Sequence, residues 1–335
     1  MKLARRTVLA TAALLPAGAA LVPASAALLP SGALGQTVWP QRPVRIVVPF
    51  APGGSVDTMA RTIATRMQER TGQTVTVENR AGGNGTVGGI AVSQAAPDGH
   101  TLLVSASLQT LARLVMRAPG YDPLTDLKPI ARTGEGPCII AINPSRAPTT
   151  MAELVTAARA TPREWSFGVS GMGAAGHLAS IEFVRQIGAD ITFVPYRGTS
   201  PALVDLMGGS IGVQIDPMLA MLPPVRAGNL RGIALTAPQR NPAAPTIPTT
   251  AEAGFPSVDA HSWWAVWAPP RTPDAIAALI AAEVEAIIGE EAVRARLTSL
   301  GIVPLFQSGA ALDAFIAQDF QKAQGLLRLA RVEPE

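Results

Sequence analysis

The sequence predicts an α/β protein made of two units with a cleft between them. Three observations support this: strand and helix patterns alternate, a long extended segment leaves the first unit at 130–145, and another returns at 262–270. Alternating strands and helices are typical of a parallel sheet covered by helices. Two crossings between two such units produce a hinged pair. We expect one lobe at 40–139 plus 262–335 and the other at 140–261.

The first unit begins with VRIVVPF (44–50), an apolar run typical of a buried strand. After a Pro-Gly-Gly turn, apolar residues recur at helical spacing from Ser55 until Gly72 ends the helix. The strands TVTVENR (74–80) and TLLVSAS (101–107) then flank a helix predicted over GIAVSQAA. This order of strand, helix, strand, helix and strand is a parallel α/β layout.

The second unit repeats the alternation. Its predicted elements are, in order, the helix TMAELVTAARA, the strand WSFGVS, the helix GAAGHLASIEFVRQIG, the strand ITFVPY, the helix SPALVDLMGG and the strands IGVQID and NLRGIALT. The chain then returns through SWWAVWAPP. Two terminal helices, PDAIAALIAAEVEAIIG and GAALDAFIAQDFQKAQGLLRLA, are expected to pack on the first unit.

The N-terminus is typical of an export signal. A short basic region precedes an uncharged apolar run, and an Ala-Ser-Ala cleavage site ends at Ala26, with an alternative cut after Gly35. Pro16 and Pro23 interrupt the run, which argues against a membrane-spanning helix. We therefore expect a periplasmic protein that is not embedded in the membrane. The Arg5-Arg6 pair leaves both the twin-arginine and the general export route open.

Charge and cysteine content exclude several classes of protein. Removing the signal takes the formal net charge from +3 to zero, because it carries three basic residues and no acidic one. The high isoelectric point is therefore no evidence for a nucleic-acid partner, and no basic run with interleaved aromatic residues occurs. Cys138 is the only cysteine, so an intrachain disulfide is excluded, and its apolar neighbours predict a buried side chain.

Motifs of hydrolases and metal sites are missing from the sequence. It contains no G-x-S-x-G elbow and no H-E-x-x-H, and its three histidines lack the spacing of metal ligands. Ser170, His177 and Asp216 could be drawn as a triad, but nothing in the sequence brings them together. We predict no metal, no cofactor and no catalytic residue, and so a protein that is not an enzyme.

Glycine-rich turns precede four of the predicted helices. They are PFAPGGSVD, NRAGGNGTVGG, VSGMGAAGH and VPYRGTSPA. The first N–H groups of a helix lack intrahelical partners and lie at the positive end of its dipole, so such turns attract anions. In α/β sheets these turns lie at the carboxyl ends of the strands, where ligands bind. Convergence of the four turns on one cleft predicts an anion-binding site.

Two of these turns also match the dinucleotide-binding pattern G-x-G-x-x-G. GMGAAG (171–176) and GGNGTVG (82–88) each lead into a predicted helix, but neither following strand ends in the acidic residue that would bind a ribose. Arg197 could instead bind a 2′-phosphate. An exported NADP-dependent oxidoreductase therefore stays open as an alternative.

The chain resembles a known family over nearly its whole mature length. VRIVVPFAPGGSVDTMAR, VENRAGGNGTVGG, SGMGAAGHLA, VPYRGTSPALVDLMGG and PTTAEAGFPSVDAHSWWAVWAPPRTP follow in the order seen in the substrate-binding proteins of tripartite tricarboxylate transporters, the TctC or Bug family. The resemblance implies a two-domain type II periplasmic-binding-protein fold, the Venus flytrap. It also implies capture of a small organic carboxylate for the membrane subunits of a transporter. Some family members instead serve sensors such as histidine kinases, and we expect a monomer.

The resemblance also implies a set of ligand-binding residues. They are Phe50, Ala51, Pro52, Gly53, Gly54 and Asp57 in the first turn, Ser170, Gly171, Met172, Gly173, Ala174 and His177 in the third, Tyr196, Arg197 and Gly198 in the fourth, and Asn84, Ser105, Ser107 and Asp216 at neighbouring strand ends. His177 is open between a cleft donor and a packing residue, and Arg197 between a second ligand contact and a solvent-facing side chain.

The shape of one cleft wall is open. The family often has glycine after the tryptophan near the return segment, whereas Ala265 follows Trp264 here. Trp263, Trp264 and Trp267 would suit an aromatic ligand as a wall, or they form part of the core. An aliphatic dicarboxylate, citrate and an aromatic acid all stay open as ligands.

Overall fold

A computed structural model describes residues 39–334, and the predicted signal and its cleavage site lie outside these residues. The described residues form ten strands: β1 Val44–Val48, β2 Val75–Asn79, β3 Thr101–Ala106, β4 Lys128–Ile142, β5 Phe167–Val169, β6 Phe193–Pro195, β7 Val213–Pro217, β8 Arg231–Leu235, β9 His261–Ala268 and β10 Val303–Gln307. The α/β class predicted from the alternation is confirmed.

Ten α-helices connect these strands within the described part of the chain. They are α1 Ser55–Thr71, α2 Thr86–Ser93, α3 Ala112–Val115, α4 Met151–Ala160, α5 Ala175–Ile187, α6 Thr199–Gly208, α7 Met218–Arg226, α8 Asp274–Gly289, α9 Glu291–Ser299 and α10 Gly309–Leu329. The sequence patterns missed α3, α7, α9 and β10. None of the described helices is long and apolar enough to cross a membrane.

Strand β4 belongs to two sheets. Its first part pairs antiparallel with β9 and β10, and β9 also pairs with β3, which lies next to the parallel strands β1 and β2. Its last part, from Cys138 to Ile142, pairs with β7 and β8, and β7 continues into the parallel strands β5 and β6. The extended segment predicted at 130–145 is therefore the strand that links the two sheets. The lobe boundaries proposed from the sequence stay a prediction.

The three tryptophans of β9 are core residues. Trp263, Trp264 and Trp267 are each at most 1% exposed. Because side chains alternate along a strand, Trp264 joins the cluster of β1, β3, α1 and α8, whereas Trp263 and Trp267 pack against α10 on the opposite face. The aromatic wall considered from the sequence is thus not present in this structure. Cys138 is fully buried, as its apolar neighbours predicted.

Helix α5 lies unusually close to β7. A Cβ atom on Gly176 would overlap the carbonyl oxygen of Ile215 and lie 2.7 Å from its carbonyl carbon. Backbone atoms of a central strand cannot move aside as a flexible side chain can, so the first turn of α5 requires glycine at this position. This contact brings the start of α5 next to the carboxyl end of β7.

We predict that Gly176→Ala destabilises the protein by about 2 kcal/mol or more, because the added methyl group overpacks a rigid contact. Gly325→Ala is the matched control: this glycine also lies inside a helix, α10, and nothing stands within 4 Å of an added Cβ. The control should gain up to ~1 kcal/mol from helix propensity. Urea unfolding of both variants checks this, and equal stabilities would contradict the close packing.

Candidate functional site

An inner cavity lies where four strands end and four helices begin. It encloses about 410 Å³ of atom-free space, including its open mouth. The lining residues are Phe50, Ala51, Gly54, Ser55, Val56, Asp57, Ala106, Ser107, Leu108, Ser170, Ala174, Ala175, Gly198, Thr199, Asp216, Pro217 and Ser262. Helices α1, α5, α6 and α7 follow directly on β1, β5, β6 and β7, and each helix brings its first turn or its N-cap to this cavity.

The four helix N-termini at the inner cavity have no side-chain caps. Their N-cap residues are Gly54, Ala174, Gly198 and Pro217, and none of these accepts a hydrogen bond from the helix through its side chain. Among the described α-helices only α4 has a side-chain cap, from Thr150, so these four are distinguished by their convergence on one cavity. Uncapped N-termini leave N–H donors and the positive ends of helix dipoles available to an anion.

Asp57 holds the first turn in shape. Its carboxylate accepts hydrogen bonds from the Gly53 N–H (2.9 Å), from Arg61 Nε (2.8 Å) and from Asn79 Nδ2 (2.9 Å). Burial disfavours the charged form, but the bonds from Arg61, Gly53 and Asn79 outweigh burial and lower the pKa of Asp57. Asp57 is therefore ionised, and its charge is compensated within the protein.

Asp216 is the second carboxyl group of the inner cavity. It is fully buried, and it accepts hydrogen bonds from Ser170 Oγ (3.0 Å) and Gln214 Nε2 (2.7 Å), with a further bond to Thr199. Burial raises the pKa of Asp216 to about 7, and these three hydrogen bonds only partly offset the effect. The group therefore changes charge close to neutral pH, unlike Asp57.

The residues predicted from the sequence divide between two cavities. Those that line the inner cavity are Phe50, Ala51, Gly54, Asp57, Ser107, Ser170, Ala174, Gly198 and Asp216. A neighbouring outer cavity of about 870 Å³ is lined by Asn84, Gly171, Met172, Tyr196 and Arg197, and Phe50 lines both. Pro52, Gly53, Ser105, Gly173 and His177 line neither.

Several of the residues outside the inner cavity have clear structural contacts. His177 Nδ1 accepts a hydrogen bond from the Gly173 N–H (2.9 Å), the ring packs edge-on against Phe193, and burial lowers the pKa of His177 to about 4. Ser105 Oγ donates to Gln109 Oε1 (2.9 Å). In this structure the neutral imidazole braces the third glycine turn.

Two side chains of the fourth turn, Tyr196 and Arg197, do not line the inner cavity. Tyr196 donates a hydrogen bond to Asp205 (2.6 Å), and Arg197 is exposed at the outer cavity. Thr199, which the sequence analysis did not select, lines the inner cavity as the first residue of α6. Ser55, the first residue of α1, and Ser262, in β9, also line the inner cavity. Ser55 and Thr199 each stand directly after a glycine turn, and this position is the sequence signal that could have identified them.

The spacing G-x-G-x-x-G has a separate explanation at each glycine of 171–176. A Cβ atom on Gly171 would lie 2.6 Å from Leu108 Cδ1, Gly173 has a φ of +81°, and Gly176 packs against β7. In the other copy, a Cβ on Gly88 would lie 2.7 Å from Pro49 Cβ. At the second glycine, the position where a dinucleotide pyrophosphate approaches the backbone, an added Cβ on Gly173 would lie 3.3 Å from Val115 Cγ1 and 3.4 Å from Leu111 Cβ, so protein side chains lie against this part of the turn.

Comparison with known proteins identifies the family. The profile of the tripartite tricarboxylate transporter family receptor, TctC, matches residues 59–330. This chain belongs to that family. BugT of Bordetella pertussis is 36% identical to it over 292 residues, which are 87% of this chain and 90% of BugT. The family predicted from the ordered motifs is confirmed.

Solved structures of family relatives have the same fold. The periplasmic binding protein BugD is 31% identical and superimposes with a TM-score of 0.85, covering 89% of this chain and all of BugD. A Rhodopseudomonas palustris protein solved with adipate is 34% identical, with a TM-score of 0.86 over 89% of this chain and all of its own. MatC from the same organism, solved with malate, is 30% identical, with a TM-score of 0.80 over 86% of this chain and all of MatC. The predicted periplasmic-binding-protein fold is confirmed.

We predict that Asp216→Asn stabilises the ligand-free protein above pH 7 and loses this advantage as the pH falls toward 4. The pKa of Asp216 is raised from 3.8 to about 7 in the folded state, so between these values the folded protein holds a proton that the unfolded chain has released. The free energy of unfolding of the wild type therefore falls as the pH rises through this window. Urea unfolding at a series of pH values measures the difference.

Asp57→Asn is the control with the opposite sign. The pKa of Asp57 is lowered from 3.8, so its stabilising effect is present above that value and is lost as the pH falls below it. This variant should be less stable than the wild type at neutral pH, and the difference should shrink in acid. A difference for Asp216→Asn that stays constant from pH 4 to 8 would show that Asp216 titrates normally.

Proposed function

We propose that this protein is an extracytoplasmic solute-binding protein that captures a small organic carboxylate in the inner cavity for the membrane subunits of a tripartite tricarboxylate-type transporter. The convergence of four uncapped helix N-termini supports this proposal most directly. Hydrogen bonds from such N–H groups to a charged oxygen stabilise binding by roughly 1.5–3 kcal/mol each. A few of them reach about micromolar affinity, near −8 kcal/mol.

The composition of the cavity wall favours an anion held by backbone groups. No lysine or arginine is among the described residues that line it. Of the two carboxyl groups, Asp57 is compensated by Arg61, and burial favours the neutral form of Asp216. Relatives solved with malate and adipate support a carboxylate as the ligand.

Because both proposed lobes contribute to the wall of the inner cavity, we propose that a ligand draws the lobes together. Residues 50–57 and 106–108 belong to the proposed lobe 40–139 plus 262–335, and residues 170–175 belong to the proposed lobe 140–261. A ligand that contacts both lobes favours the closed form, because only that form offers all of its contacts at once. We further propose that the chain is exported, acts as a monomer and is a binding protein, not an enzyme.

The test of this function is thermal denaturation of the mature protein after unfolding and refolding have removed any carried-over ligand. Malate, adipate, citrate, benzoate and NADP are added in turn, since a ligand that binds only the native state raises the melting temperature. A rise with one class of carboxylate supports the proposal and identifies that class. A rise with NADP alone would overturn it.

We predict that Gly54→Val folds but binds the selected carboxylate at least ~10-fold more weakly. Gly54 has a φ of −83°, which any residue adopts, and a Cβ there would lie 3.5 Å from Thr199 Cβ, between the starts of α1 and α6. The branched side chain would occupy the space of the anion. Isothermal titration calorimetry measures the affinity.

The matched control is Gly289→Val, at the end of α8. Its backbone is not left-handed, and nothing lies within 4 Å of an added Cβ. This variant should bind like the wild type. Unchanged affinity in a folded Gly54→Val protein would remove the first glycine turn from the site.

A further inference from the structure

The side chain of Asn84 is bound to the backbone of Met172. Asn84 Nδ2 donates to the Met172 carbonyl oxygen (2.9 Å), and the Met172 N–H donates to Asn84 Oδ1 (2.8 Å). Asn84 lies between β2 and α2, and Met172 lies between β5 and α5. The paired hydrogen bonds therefore join loops that belong to the two different sheets.

The chain around Asn84 is built for this contact. Asn84 has φ 51° and ψ 36°, a left-handed conformation that asparagine adopts more readily than most residues. On the other side, a Cβ on Gly171 would lie 3.1 Å from Asn84 Oδ1 and 2.6 Å from Leu108 Cδ1. Glycine at 171 thus lets the third turn approach the amide closely.

A second contact between the same parts of the chain lies beside Phe50. The Ala51 N–H donates to the Arg197 carbonyl oxygen (3.0 Å), and Ser200 Oγ donates to the Pro52 carbonyl oxygen (2.8 Å). The Phe50 ring stands between the two contacts and lines both the inner and the outer cavity. The two glycine turns of one proposed lobe are therefore fastened to those of the other by protein hydrogen bonds alone.

Asn84 does not line the inner cavity, although the family resemblance implied that it contacts the ligand. Its amide lies at the outer cavity, and both its oxygen and its nitrogen are engaged with Met172. A residue so placed acts on the ligand only through the loop that it holds. Residues 170, 174 and 175, on either side of Met172, line the inner cavity and are positioned by this loop.

We infer that Asn84 is a positioning residue that stabilises the closed form and so sets the apparent affinity of the inner cavity. It does so through its two hydrogen bonds to the Met172 backbone, which we call the clasp. The inference rests on the proposed function, because only a protein that opens and closes around a ligand has such an equilibrium. In the open form water makes hydrogen bonds to the Asn84 amide and the Met172 backbone, so the net gain on closing is modest. The two hydrogen bonds between these residues therefore shift the ratio of closed to open form by roughly 10-fold. Apparent affinity falls by up to that factor when the clasp is removed.

The decisive variant is Asn84→Gly. Glycine removes the amide and accepts the left-handed backbone without steric strain, so a loss of function cannot be assigned to such strain. Arg331→Gly is the control: Arg331 is the other non-glycine residue with a positive φ in the described chain (54°), and it lies after α10. The Arg331→Gly substitution relieves the same kind of backbone strain but leaves the hydrogen bonds between Asn84 and Met172 unchanged.

Two measurements are made on both variants and on the wild type. Small-angle X-ray scattering of the ligand-free proteins reports how open they are, and calorimetry with malate and with adipate reports affinity. We expect Asn84→Gly to have a larger ligand-free radius of gyration, an affinity up to about 10-fold weaker, and the wild-type radius when saturated. Arg331→Gly should match the wild type in all three.

Other outcomes overturn the inference in distinct ways. An unchanged radius together with unchanged affinity would show that the clasp does not affect closure. Weaker affinity with an unchanged ligand-free radius would show that Asn84 does not hold the ligand-free protein in the closed form, and would overturn the inference. If the wild type binds no carboxylate, the proposed function fails, whereas the scattering comparison without ligand still decides whether Asn84 holds the loops together.

Discussion

Four helix N-termini face one cavity only because the strands that precede them end at the same place. Strands β1, β5, β6 and β7 come from two sheets, and β4 joins these sheets by pairing with β9 in its first part and with β7 in its last. This shared strand brings the carboxyl ends of both sets of parallel strands together. The position of the four helix starts around one cavity depends on that arrangement.

The two carboxyl groups of the inner cavity are compensated in different ways. Asp57 stays charged, and its carboxylate accepts hydrogen bonds from Arg61, Asn79 and the Gly53 N–H. These hydrogen bonds fix the shape of the first turn. Asp216 is placed where burial favours its neutral form. Neutral Asp216 has a proton to donate, whereas charged Asp216 would repel a carboxylate. The proposed capture of a carboxylate would therefore be thermodynamically linked to the protonation of Asp216.

Local patterns predicted the site where strand, turn and helix follow each other directly. The first turn is an example, because a buried strand followed by glycine and then a helical period determines where the strand ends. Asp216 was selected through the family resemblance, since no glycine follows it and helix α7 was missed. The hydrogen bonds between Asn84 and Met172 could not be predicted in this way, since they join a side chain to the backbone of a residue 88 positions away. Strand β10 was missed because Pro304 interrupts a short mixed pattern, and the tryptophans of β9 were ambiguous because both faces of that strand are buried.

The pattern G-x-G-x-x-G recurs in this chain because a turn from strand to helix can require glycine at three positions with fixed spacing. At 171–176 the first glycine lets Leu108 and Asn84 approach, the second turns the chain, and the third lets α5 lie on β7. A dinucleotide site makes similar demands, with a phosphate in place of the approaching side chains. The motif therefore indicates the geometry of the turn, whereas the kind of ligand depends on the groups that face the turn. Here those groups belong to a second set of glycine turns across the inner cavity.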